Sequence, residues 1–94
     1  MRASAAVRLF DAYVMTVLGD RTKVHISDRP CEIHRQMYAV HLPGGDLAYI
    51  CFDEEELLRV EFDLPDGMVR INARDEVDPE REQRLMAYLR QQGL

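Results

Sequence analysis

Apolar and polar positions alternate most strictly between Leu57 and Ala73, in the stretch LLRVEFDLPDGMVRINA. Leu58, Val60, Phe62 and Leu64 take one side of a strand, and Arg59, Glu61 and Asp63 the other, as a period of two requires. Pro65, Asp66 and Gly67 carry the turn chemistry, which makes the stretch a hairpin. An Asp66-Gly67 loop sets Leu64 against Val69, Phe62 against Ile71 and Val60 against Ala73, with Asp63 opposite Arg70 on a wet outer face. A three-residue loop would put Phe62 against Arg70, so the two-residue loop is the expected one.

A period of three to four marks both ends of the chain. Ala6, Phe10, Tyr13, Val14, Val17 and Leu18 form a wide stripe on a helix over residues 4–18, with Ser4 to cap it and Gly19 to end it. Near the other end, Asp78-Pro79-Glu80 is a strong helix start. Leu85, Met86 and Leu89 give that helix a narrow stripe, with Tyr88 at its edge and Gly93 as its stop. It is expected to lie loosely on the domain or to form half of an interface.

Between these come Thr22 to Ser27, a first strand with Val24 and Ile26 inward, and a second hairpin of residues 33–42 and 46–52 around Gly44-Gly45. In the expected register Tyr38 faces Cys51, Val40 faces Tyr49 and Met37 faces Phe52. Both faces of this pair are apolar, which places it mid-sheet or between a helix and a partner chain, and a homodimer is one expectation. The fold class is α+β, with an N-terminal helix, an antiparallel sheet of about five strands in meander order, and a C-terminal helix.

The 94 residues, 47% of them hydrophobic, suit a single domain spanning 1–94. The net charge of −5 is unevenly spread: residues 1–42 carry a net +2 and residues 43–94 a net −7. The acidic half centres on Asp53, Glu54, Glu55 and Glu56, followed by Glu61 and Asp63. This balance argues against direct nucleic-acid binding, whose affinity comes from cationic side chains. Arg8 and Asp11 interrupt any leader-like core, and no apolar run approaches the roughly 20 residues of a membrane span, so a cytoplasmic protein without membrane contact is expected.

Chemical motifs are sparse. Cys31, His34, His41 and Cys51 are metal-ligating types, but their spacing matches no knuckle, and a straight continuation of the hairpin puts the two cysteines about 20 Å apart. Two unbridged thiols and no metal or cofactor are the expectation. The acidic quartet lacks the glycine and spaced acids of a calcium loop, and Asp53 with Glu56 fits a capping box instead. Cys31 with His34 lacks the spatial arrangement of a nucleophile and base, and neither Glu61 nor Asp63 has a second catalytic partner. The chain therefore leans away from an enzyme.

The remaining reading is an acidic interaction module that regulates or inhibits a partner with a basic surface, through Asp53, Glu54, Glu55, Glu56, Glu61 and Asp63. In size and charge it resembles small bacterial and mobile-element accessory proteins such as immunity proteins, antitoxins and phage-encoded inhibitors, with no motif that carries residues over. The alternative is a small-molecule-binding or enzyme-accessory domain with a pocket between the first helix and the sheet, around Phe10, Tyr13, Tyr38 and Tyr49.

Overall fold

The computed structural model describes residues 4–31, 35–53 and 56–94. Helix α1 (Ala5–Val17) leads into strands β1 (Val24–Ile26), β2 (Met37–His41), β3 (Leu47–Asp53), β4 (Glu56–Leu64) and β5 (Gly67–Asn72), and helix α2 (Pro79–Gln91) follows. The strands lie in the order β1-β2-β3-β4-β5, every neighbouring pair antiparallel, so the expected α+β meander with flanking helices is what forms.

Both helices pack on one face of the sheet. Val24, Val40, Leu42, Ala48, Ile50, Val60, Phe62 and Ile71 rise from the strands to meet Ala6, Val7, Phe10 and Val14 of α1 and Leu85, Tyr88 and Leu89 of α2. Phe62 sits at the centre, edge-on to Phe10 with ring centroids 4.9 Å apart and to Tyr88 at 6.2 Å. Such pairs add about 0.5–1.5 kcal/mol each beyond area burial.

Capping explains where the helices begin. Ser4 Oγ accepts from the Val7 amide, and Asp78 accepts from the Arg81 amide with Pro79 at the first helical position. Glu82 of α2 adds a cap across the helix pair: its carboxylate accepts from the Ala6 amide at 2.7 Å and from Ser4 Oγ at 2.6 Å. Two otherwise orphaned groups of α1 are thus satisfied by α2. The last helix is therefore docked in cis, with Tyr88 buried and its hydroxyl donating to Asp46 at 2.9 Å. Gly93, at φ +95°, lets the Leu94 amide reach back to Leu89 O and close the helix.

Both hairpin registers differ from those expected. In the β4–β5 pair Leu64 faces Gly67, Phe62 faces Val69 and Val60 faces Ile71, so the loop is Pro65-Asp66. Proline has no amide to give a ladder and its fixed φ suits the first loop position, while Gly67, at φ +138°, starts the return strand. The shift is two residues, so the faces survive and the partners change. Asp63 lies opposite Met68, and Arg70 opposite Glu61. In the β2–β3 pair Met37 faces Cys51 and Tyr38 faces Ile50, one residue from the expected pairing. Leu42 and Asp46 bracket a three-residue Pro43-Gly44-Gly45 loop, with Gly45 at φ +100°.

Part of the outer face of the sheet is covered by residues 28–31, which follow β1. Arg29 reaches across it, its guanidinium 3.7 Å from the centroid of the Tyr49 ring and forked onto Asp63 at 3.1 and 3.3 Å. Cys31 brings its Sγ to 3.0 Å from Cys51 Sγ. The expected 20 Å separation of these cysteines is overturned, because the chain leaving β1 folds back over the sheet instead of running on as a strand. Met37, Ala39, Cys51 and Glu61 are all buried on this side.

Candidate functional site

Among the described residues, the acids singled out from the sequence do not form one surface. Glu61 is only 2% exposed and accepts from Arg70 Nε at 3.0 Å, so its place on a wet face is corrected. The overlying β1–β2 segment, with Arg29 on the neighbouring Tyr49 ring, is the physical reason. Asp63 is exposed but engaged by Arg29, and its hydrogen bonds hold that guanidinium protonated above its ordinary range. Glu56 pairs with Arg74. Seven residues along β4 separate Glu56 from Asp63, roughly 20 Å, so the six acids do not gather at one end of the sheet. Asp53 faces Glu56 at the end of β3, and Glu54 and Glu55 lie outside the described residues.

The four aromatics of the alternative reading are also dispersed. Phe10 is core, Tyr13 donates its hydroxyl to His41 O at 2.6 Å, and Tyr49 lies on the opposite face under Arg29. Tyr38 alone borders open space.

That space is a groove of about 910 Å³ beside the C-terminal end of α1. Met15 and Leu18 form one wall, Val24 and Ile26 of β1 another, and Tyr38 and Phe52 the floor, with Arg21, His25 and Gln36 at the rim. Three of the four large apolar side chains most exposed among the described residues line it: Met15 at 65%, Leu18 at 45% and Ile26 at 69%. Ile26 is on the helix-side face with Val24, as its pairing through Tyr38 to Ile50 shows, yet no helix covers it. Ile26 thus takes the inward face expected of it but stays exposed there. Sequence periodicity cannot show this, since it reports the face a residue takes and not where the covering helix stops.

The groove borders a strand edge. His41 N donates to Lys23 O and Ser27 N donates to Met37 O, so the odd-numbered residues of β1 bond to β2. Antiparallel ladders alternate, and the peptide groups of Val24 and Ile26 therefore point away from the sheet. The Val24 amide is taken by Asp20 O and the Ile26 carbonyl lies 3.3 Å from His25 Nδ1, so Val24 C=O and the Ile26 amide face the open side. At the other end Phe52 of the floor is followed in sequence by Asp53, the last residue of β3.

Other chemistry is limited. No cluster of three or more metal-ligating side chains occurs among the described residues. His25 and His41 approach to 3.0 Å between their Nε2 atoms on the outer face, and His34 lies outside the described residues. A smaller cleft of about 280 Å³ is lined by Asp66, Arg70, Arg81 and Arg84, where Arg84 pairs with Asp66. No helix among the described residues is long and apolar enough to cross a membrane. Compared with known proteins, the chain matches no family model, no curated protein and no solved structure.

Proposed function

We propose that the protein is a non-enzymatic interaction module that binds and regulates or inhibits a partner protein with a basic surface, and that it takes an extended segment of that partner along β1. The gathering of Met15, Leu18 and Ile26 in one groove beside an open strand edge carries this reading. Strand addition draws affinity from backbone hydrogen bonds and specificity from alternate side chains, and here those side chains would enter the groove. Asp53 and its cross-strand neighbour Glu56 supply the acidic element, steering basic residues that flank the apolar segment. The binding surface thereby moves from the six acids expected from the sequence to the groove and the acids next to it.

Selection from a peptide display library tests the proposal directly. Enriched peptides should alternate apolar residues and carry Lys or Arg at one end, and the synthetic peptide should shift the amide resonances of Ile26, Tyr38 and Phe52. Ile26→Asp, on an exposed side chain, should abolish binding. Asp53→Lys with Glu56→Lys should lower the association rate about tenfold or more at low salt and flatten its salt dependence. Peptides that bind all these variants as tightly as the wild type would refute the reading. The groove volume also falls within the range of small-ligand pockets. An apolar small molecule that binds there with no dependence on Asp53 or Glu56 would favour the ligand-binding alternative.

A further inference from the structure

Arg29 and Gln36, on either side of Cys31 in the sequence, are both anchored. Upstream, Arg29 forks onto Asp63 and stacks on Tyr49. Downstream, Gln36 Nε2 donates to Ser27 O and Met37 O at 2.9 and 3.0 Å. Between these anchors Cys31 Sγ is held 3.0 Å from Cys51 Sγ. A disulfide needs about 2.0 Å, so closure asks for roughly 1 Å of approach.

We propose that Cys31 and Cys51 form a redox site at which a low-molecular-weight disulfide of the glutathione type closes a reversible intramolecular disulfide, fastening residues 28–31 over the outer face of the sheet. Cys31 is half-buried and serves as the entry point, whereas Cys51 is fully buried. Burial, and then the hydrogen bond with Cys31, push the Cys51 thiol up to about 12, so it is the poorer first nucleophile.

The Cys31 thiolate, its proton lost to solvent, attacks one sulfur of the reagent. The reagent's S–S bond breaks and one glutathione thiolate leaves. Cys51 then gives up its proton and attacks Cys31 Sγ, displacing the second glutathione. The two protein thiols lose two electrons, and the reagent gains them as two glutathione molecules, each taking up a proton.

The test is oxidation of the intact chain in glutathione disulfide, followed by denaturing alkylation and mass spectrometry. The expected product is a monomer 2 Da lighter that takes up no iodoacetamide and recovers both thiols in dithiothreitol. Its Tm should rise by roughly 10–20 °C, as closing a loop of this length implies. Cys31→Ser should gain neither the mass change nor the Tm increase. Two alkylatable thiols after oxidation, a glutathione adduct on Cys31 that persists without closing, or disulfides only between chains would each overturn the proposal.

Discussion

Replacing Glu61 by Gln and Asp63 by Asn separates an acid that holds the fold from one that decorates it. Both stand on β4 two residues apart, and both point to the outer face. Glu61 is 2% exposed and accepts a charge-assisted hydrogen bond from Arg70, whose side chain is 37% exposed. Hydrogen bonds to charged groups are worth about 1.5–3 kcal/mol, and neutral ones about 1. Gln keeps the shape and one acceptor, so the expected loss is about 1–2 kcal/mol; the partial exposure of Arg70 keeps it below the 3–5 kcal/mol typical of a fully buried broken pair. Asp63 and Arg29 are 45% and 29% exposed, and such pairs contribute about 0–1 kcal/mol.

At about 2.1 cal/mol/K of unfolding entropy per residue, the 94 residues lose roughly 5 °C of Tm per kcal/mol. Glu61→Gln should therefore lower Tm by about 5–10 °C, and Asp63→Asn by less than about 5 °C. Calorimetry at pH 7 reads both, and urea midpoints at unchanged slope provide the check that the comparison stays two-state. Equal shifts for the two variants, or a larger one for Asp63→Asn, would refute the claim that the covering segment makes Glu61 a structural acid.

Three further outcomes follow from the same geometry. Ser4→Ala and Glu82→Ala should each cost about 1–2 kcal/mol, and their double-mutant cycle in urea should show coupling above about 0.5 kcal/mol, because both residues serve the start of α1; additive effects would deny the cross-helix cap. The fold favours the neutral forms of Cys51 and Tyr88, raised chiefly by burial, with the Tyr88 hydroxyl also bonded to Asp46. Their contribution is complete below about pH 8.5 and is lost as pH rises from about 9 towards 12, so Tm should fall over that window, and less steeply in Tyr88→Phe; a flat profile to pH 11 would count against it. Gly45→Ala should cost about 1 kcal/mol because its φ of +100° disfavours a side chain, while Gly19→Ala, which meets nothing within 4 Å, should be neutral or slightly stabilising by chemical denaturation.

The elements legible in the sequence are those whose signals are local. Ser4, Asp78 and Pro79 mark helix starts by side-chain chemistry that needs no tertiary context, and the apolar alternation along β4 gives its faces whatever the partner strand does. The registers are harder for a physical reason. Met37 to Val40 and Leu47 to Phe52 are apolar on both faces, so a slip of one residue leaves the pattern equally satisfied and only the loop decides. Least legible is the segment from Asp28 to Cys31, which has no periodicity because it docks through single contacts: a guanidinium on a ring, a forked ion pair and a sulfur pair. Its presence buries Glu61 and brings the cysteines together, so every candidate site on the outer face depends on a tertiary feature that period-two reasoning cannot register.

The groove lies where α1 ends beside β1. A 13-residue helix spans about 20 Å, whereas the seven residues of β3 and nine of β4 reach roughly 23 and 30 Å. Ile26, Tyr38 and Phe52 lie on the part of the sheet that borders the groove beside the end of α1. Asp20 makes the stop abrupt: its side chain accepts from the Thr22 amide and hydroxyl, bonds that hold its carboxyl below the usual range, and its carbonyl accepts from Lys23 and Val24. The chain is thereby turned into β1 within a few residues of the helix end. The same short connection that ends α1 also starts the edge strand, whose Ile26 side chain stays 69% exposed beside the helix end.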